Sequence, residues 1–280
     1  KSLNDVGDLT YSYESLDGKT QTIKDIIENN HEISKNIIEA KKPMIIFGES
    51  FLKSSSAKYL FQSFKKFLID ENKFNDEWNP LNIISTDAAT VGNLDLDIID
   101  QNNNLLKDLN ENKFEIVFLF GQDNLKFNKK DEFIIYIGSH GDKGAELADI
   151  ILPGAAYTEQ SGHFTNLEGK IQKAYKASYP PGDAKEDWQI INDLAEFMNN
   201  RKLFNDKEEL ESSMFNYLKL KEEKQGSILN TDDYSNQFQN EDLKIFVKDY
   251  YFSNVIARSS KTMLNCYNSK LETKRTGTEG

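Results

Sequence analysis

The 280-residue sequence predicts an α/β fold, a mainly parallel sheet flanked by helices, with a small and mostly helical C-terminal extension. Four short apolar runs are continuous rather than alternating, the pattern of strands covered on both faces. Three of those runs end in glycine, which permits a sharp turn at the end of a parallel strand. Helical patterns separate the runs, and strand alternating with helix is the signature of parallel α/β architecture.

In chain order, Ile23, Ile26, Ile27, Ile33, Ile37 and Ile38 fall near the helical period. The first strand follows at residues 43–48 (PMIIFG), and Leu60, Phe61, Phe64, Phe67 and Leu68 make a second helical face. Residues 72–112 form an excursion rich in Asn and Asp, with a strand at residues 81–84 and a helix later. Strands are then expected at residues 116–121 (IVFLFG), 133–138 (FIIYIG) and 149–152 (DIIL). Residues 186–199 (EDWQIINDLAEFMN) read as a helix with Trp188, Ile191, Leu194, Ala195 and Met198 on one face. Asp183, after Pro180 and Pro181, is its expected N-cap. The chain then turns charged and poorly patterned to about residue 242, and apolar again over residues 243–267. That shift predicts a boundary near residue 202, giving residues 1–202 as the α/β domain and residues 203–280 as an extension with a solvated tail from residue 270.

Composition excludes several classes of function. Apolar residues at 38% and charged residues at 29% make a globular balance, and no window approaches the roughly 20 apolar residues of a membrane span, so direct membrane insertion is not expected. A net charge of -12 opposes nucleic-acid binding and attraction to anionic membrane surfaces, and the densest basic run, residues 126–130, lies beside Asp131 and Glu132. The single cysteine, Cys266, makes no internal disulfide, and iron–sulfur clusters and structural zinc need several ligands, so no cofactor is expected in this chain. The acidic N-terminus lacks the Arg-rich pattern of a transit peptide and an initiating Met; either a leader has been removed or the chain begins inside a larger reading frame.

Candidate chemistry is sparse. The strand ends at Gly48, Gly121 and Gly138 would form the crevice where open α/β sheets bind ligands, yet none carries a dinucleotide fingerprint or a phosphate-binding lysine loop. In residues 137–144 (IGSHGDKG), Ser139 and His140 are neighbours, and neighbours on an extended chain point to opposite sides, poorly placed as nucleophile and base. His140 is expected to serve as a loop hydrogen-bonding residue, and His31 to lie on a helix surface. The spacing of His140, His163 and Cys266 fits no metal site. Asp95, Asp97 and Asp100 read as a solvated face, and Cys266, near Met263 and Tyr267, as a small buried apolar residue. No catalytic, cofactor-binding or metal-ligating residue is assigned.

The stretch from Ala148 to Gln172 reads ADIILPGAAYTEQSGHFTNLEGKIQ. It is similar to a signature of the molybdopterin oxidoreductase superfamily, carried here by Asp149, Pro153, Glu159, Gly162, Asn166, Glu168 and Gly169, with Phe164 between them. Physically it is a strand ended by Pro153, a small-residue turn, and a polar loop from Gly162 to Gly169 whose Asn166 and Glu168 can hydrogen-bond to backbone groups. Within the superfamily the chain resembles the C-terminal part of the large iron–sulfur subunit of respiratory complex I (NADH:ubiquinone oxidoreductase), mitochondrial type. The residues concerned are 133–159, then 179–191 (YPPGDAKEDWQII) and 249–266 (DYYFSNVIARSSKTMLNC), with further similarity at residues 8–18 and 39–48. Lys170 stands where the superfamily usually has arginine, which keeps charge but loses the planar fork.

The resemblance implies a structural part of the peripheral arm, without catalytic residues, on the matrix side of the mitochondrial inner membrane. Its implied partners are the cysteine-rich N-terminal half of the same subunit, which would hold the iron–sulfur clusters, and other peripheral-arm subunits. Two alternatives stay open at this point, a fragment of a molybdopterin-dependent oxidoreductase and a free-standing acidic interaction protein.

Overall fold

The computed structural model describes residues 2–3, 11–75, 77–100, 104–123, 125, 127–223, 237–244 and 251–275. Residues 4–10, Lys126, residues 249–250, the larger part of the charged stretch after residue 223 and the tail beyond residue 275 lie outside the described residues. The chain forms two compact units, Lys1–Thr90 with Lys221–Val247, and Val91–Leu220 with Lys248–Gly280. Among the described residues no helix is long and apolar enough to cross a membrane.

In the first unit the isoleucine pattern resolves into two helices, α1 (Thr20–Ile27) and α2 (Glu32–Glu39). Asn29 takes a left-handed φ of 61°, a conformation Asn tolerates and one that ends α1. His31 then caps α2, its Nδ1 accepting from the Ile33 amide at 3.2 Å, so the residue expected on a helix surface is the one that starts the helix. Strand β1 (Ile45–Gly48) is followed by α3 (Glu49–Leu52), α4 (Ala57–Asp70) and β2 (Leu81–Ile84). β1 and β2 pair in parallel, Ile45 opposite Leu81. The expected face of α4 supplies Leu60, Phe64, Phe67 and Leu68 to a core with Ile23, Ile26, Phe47 and Phe51. Phe47 stacks on Phe51 at 4.3 Å and meets the edge of Phe64 at 5.8 Å. Residues 237–244 lace onto this unit: the Thr20 hydroxyl donates to Gln239 O, and the Leu243 amide to Gly18 O.

The second unit opens with α5 (Thr90–Asp95) and α6 (Leu105–Asn110). Three parallel strands follow in the order β3 (Ile116–Phe120), β4 (Phe133–Gly138), β5 (Ile150–Pro153), with α7 (Lys143–Leu147) between the last two. One face of this sheet packs Leu119, Ile134 and Tyr136 against Leu109 of α6, Phe127 and the residues of α7. The other face presents Ile116 (56% exposed), Phe118, Phe120, Phe133 and Ile150. Parallel sheets in soluble folds are covered on both faces. Beyond β5 the polar stretch expected as a loop is an antiparallel hairpin, β6 (Gly162–Thr165) with β7 (Ile171–Ala174).

Helix α8 (Asp187–Asn199) forms as predicted, but Asp183 is not its cap. Glu186 is, in a capping box with Gln189. The buried line runs through Glu186 and Ile190, and Ile191 and Met198 of the predicted face are exposed. Asn192 turns the helix this way: its Oδ1 accepts from the amides of Leu203 and Phe204, and its Nδ2 donates to Phe204 O, a buried polar clamp that periodicity of apolar residues does not register. Helices α9 (Lys207–Glu222), α10 (Val255–Ser259) and α11 (Lys261–Arg275) complete the described residues.

Candidate functional site

The seven signature residues sit at three places. Asp149 precedes β5 and Pro153 is its last residue. The Asp149 carboxylate accepts from the Ile134 amide at 2.8 Å and pairs with Lys129 at 2.6 Å, and these two contacts, the backbone one first, hold its pKa below the ordinary carboxylate value. The Pro153 carbonyl accepts from the Lys185 amide, the Ala155 amide returns a bond to Lys185 O, and the Gly154 amide donates to Gly138 O, so the chain before α8 is woven to the end of β5. Glu159 closes a turn, its Oε2 accepting from the Ala156 amide at 2.9 Å.

Gly162, Asn166, Glu168 and Gly169 belong to the hairpin. Asn166 Oδ1 accepts from the amides of both Glu168 and Lys170 at 2.9 Å, and Gly169 holds a left-handed φ of 79° that a side chain would strain. Glu168 is exposed and, among the described residues, its carboxylate meets the Asn166 amide group at 3.4 Å. The backbone-satisfying role expected of both side chains therefore falls on Asn166 alone. Asn166→Ala is expected to cost about 1 kcal/mol, the net worth of such bonds in a partly exposed turn, and Glu168→Ala close to nothing. Urea unfolding of the two single variants separates them.

Two constellations that the sequence reading missed are better built. The first centres on Glu186, 6% exposed, which joins three elements. It caps α8, accepts from Lys176 beyond β7 at 3.2 Å and from Lys207 of α9 at 2.5 Å, and takes the Trp188 indole N–H at 3.2 Å. Burial pushes its carboxyl up, but the bonds from Lys207 and Lys176 outweigh that and the pKa is lowered. The Glu-x-x-Gln spacing of 186 and 189 was the available signal. Beside it, burial pushes the Asp187 carboxyl up, against a hydrogen bond from Gln160.

The second lies at the carboxyl ends of β3 and β4, the expected ligand crevice. Asp123, 4% exposed, accepts from the Tyr136 hydroxyl at 3.2 Å and from the Gly144 amide at 3.0 Å. Arg258 of α10 reaches the same carboxylate at 3.6 Å and places its Nε 2.5 Å from Asp142, which caps α7. Burial pushes the Asp142 carboxyl up, and Arg258 with the Lys143 amide draws it below its ordinary value. A Cβ on Gly144 would collide with the Gln122 carbonyl oxygen, so the two strand-end loops are in direct contact.

The remaining candidates are placed as follows. Ser139 Oγ and His140 Nδ1 lie 3.0 Å apart, because the chain bends after β4 instead of staying extended; the pair is open to solvent. The His140 carbonyl accepts from Tyr136, His163 meets Phe215 edge-on, and Asp97 accepts from the Tyr217 hydroxyl. Cys266 is exposed rather than buried. Phe252 and Tyr251 draw Tyr267 of α11 toward them, and Cys266, one residue away, falls on the outer side. Among the described residues no group of three or more His, Cys, Asp or Glu could hold a metal ion.

Residues 2–197 match the family profile of molybdopterin oxidoreductases, and residues 209–266 match that of the C-terminal domain of NADH-ubiquinone oxidoreductase G. The chain is 33% identical over 274 residues to the NADH-ubiquinone oxidoreductase 75 kDa subunit of Reclinomonas americana, covering 95% of this chain and 40% of that protein. It is 34% identical to the mitochondrial NADH-ubiquinone oxidoreductase 78 kDa subunit of Candida albicans, over 86% of this chain and 35% of that protein. The mitochondrial 78 kDa subunit of Neurospora crassa is 31% identical, over 94% of this chain and 37% of that protein. The chain thus spans about two fifths of the length of these relatives.

The groups such a family implies do not fit the described residues. A four-thiolate cluster cannot be assembled on one exposed cysteine. The strand-end crevice of β3 and β4, where an open α/β sheet takes a nucleotide-like ligand, is filled by Tyr136, the Gly144 backbone and Arg258. The full 280-residue chain is expected to carry far less than one equivalent of iron, zinc or molybdenum by elemental analysis, and a value near one for any of them would contradict this fit. By the match over residues 2–197 the chain belongs to the molybdopterin oxidoreductase family, with a C-terminal domain of the NADH-ubiquinone oxidoreductase G type behind it.

Proposed function

We propose that the chain is a non-catalytic structural part of the peripheral arm of respiratory complex I, on the matrix side of the mitochondrial inner membrane. It supports the cluster-bearing half of the same subunit while electrons pass from NADH to ubiquinone and protons are translocated. Two profile matches in succession, with relatives named as NADH-ubiquinone oxidoreductase subunits along most of the chain, carry this reading. On it, residues 1–202 are the molybdopterin oxidoreductase-like portion and residues 203–280 the extension; the first match ends at residue 197 and the second begins at residue 209.

The partners on this reading are the cysteine-rich N-terminal half, which holds the clusters, and other peripheral-arm subunits. An apolar face such as that of Ile116, Phe118 and Phe120 is the kind of surface that marks an interface. The signature residues Asp149, Pro153, Glu159, Gly162, Asn166, Glu168 and Gly169 belong to structural turns and strands on this reading, with Asn166 and not the exposed Glu168 side chain holding the hairpin turn. Mass spectrometry of the isolated respiratory complex tests the proposal. The chain is expected in one copy per complex together with a cysteine-rich partner, and its absence from the purified complex would sink the reading.

A further inference from the structure

We infer that the segment from residue 251 to residue 275 is an intramolecular strap, fastened by Arg258 across the strand-end crevice of β3 and β4 and keeping that crevice shut. The fastening is a two-carboxylate clasp. Arg258 Nε meets Asp142, its Nη2 faces Asp123, and its Nη1 donates to the carbonyl of Phe252 at 3.4 Å. Asp123 is buried and already committed to Tyr136 and Gly144, so the guanidinium completes the charge balance of a carboxylate that water does not reach.

The strap is shaped before it docks. Asn254 caps α10 by accepting from the Ala257 amide at 2.9 Å, which fixes the turn that presents Arg258. Tyr267 of α11 packs against Phe252 at 4.8 Å and Tyr251 at 6.4 Å, closing the loop before α10 onto the helix after it. The strap's own side chains are mostly exposed or half-buried, and none of α10 is buried. Arg258, 24% exposed at the side chain, supplies the ion pairs that tie the strap to the strand-end loops. A segment none of whose described side chains is fully buried opens locally at low free energy, so loss of its ion pairs is expected to shift its closing equilibrium. The clasp residues come from both matched portions: Asp123, Tyr136 and Asp142 from the molybdopterin oxidoreductase match, Arg258 from the C-terminal match. The inference rests on geometry within one unit and stands or falls independently of the complex I reading.

Hydrogen exchange on the full 280-residue chain, native and with Arg258→Ala or Arg258→Lys, tests it. Amides of residues 251–270 and of Gly144 should exchange about tenfold faster or more in Arg258→Ala, while those of Ile134–Ile137 in β4 keep their protection. Millimolar guanidinium chloride, but not equal sodium chloride, should restore slow exchange by filling the vacated carboxylate clasp. Arg258→Lys should recover only part, because an ammonium group lacks the planar fork that meets two carboxylates. Unchanged exchange in Arg258→Ala would overturn the inference. So would equal loss of protection in β4, which would make the segment an integral part of the core, or failure of guanidinium to restore what alanine removed.

Discussion

Replacing Tyr136 by alanine should destabilise the second unit by about 3–5 kcal/mol, the range for emptying a large aromatic site in a packed core. Tyr136 is 1% exposed and, among the described residues, is the largest of the fully buried side chains, with Leu119, Ile134 and Phe127 around it. Tyr136→Phe keeps the ring and removes only the hydroxyl that serves Asp123 and the His140 carbonyl; it should cost about 1 kcal/mol. The chain has two tryptophans, Trp78 in the first unit and Trp188 in the second, so a Trp78→Phe background makes Trp188 fluorescence report on the second unit alone during guanidinium unfolding. Equal midpoints for Tyr136→Ala and Tyr136→Phe would refute the core placement. The same residue gives a pH signature. Burial, with the Asp123 charge next, pushes the Tyr136 phenol from its ordinary value of 10.0 up to about 12. A pKa raised on folding adds stability below the unfolded value, lost as pH climbs through the folded one. Native chain should therefore lose stability between about pH 10 and pH 12 more steeply than Tyr136→Phe does.

Glu186→Ala should cost about 3 kcal/mol, with Glu186→Gln costing less. Alanine removes the α8 cap, worth about 1 kcal/mol, and the acceptor for Lys176, Lys207 and Trp188; Lys207 keeps the Ser161 carbonyl. Breaking a buried ion pair costs about 3–5 kcal/mol, and that figure is discounted because both lysine side chains are partly exposed. Glutamine preserves the capping oxygen and loses the charge. Because the folded pKa of Glu186 is lowered, its stabilisation is present above the ordinary carboxylate range and is lost as the pH falls through that range and through the depressed folded value. Acid titration followed by Trp188 fluorescence checks this: the native chain should fall off with acid, Glu186→Gln should be flatter, and identical profiles would rule the carboxylate out as the source.

What the sequence disclosed was the part governed by apolar periodicity. Continuous apolar runs marked all four strands proposed from them, and the expected 81–84 strand forms as well although Asn82 interrupts its apolar run. The misses are polar. Asn29 and His31 broke one isoleucine pattern into two helices, Asn192 rotated α8, and Asn166 turned a loop into a hairpin. Each is a short side chain replacing a backbone partner, an effect that depends on where the chain already runs. The two carboxylate hubs escaped for the same reason. Arg258 lies more than a hundred residues beyond Asp123 and Asp142, and Glu186 gathers lysines from either side of it. The signature residues were legible as a pattern while their separate placements were not.

The most direct test of a non-catalytic role compares assembly with turnover in the same membranes, using Glu186→Gln and Asn166→Ala. A native gel gives the amount of assembled complex, and NADH oxidation with an artificial acceptor gives turnover per assembled copy. Less assembled complex is expected for Glu186→Gln, a smaller loss for Asn166→Ala, and nearly unchanged turnover per copy in both. Normal assembly with turnover reduced about tenfold or more, equivalent to about 1.4 kcal/mol at the transition state, would contradict a non-catalytic role.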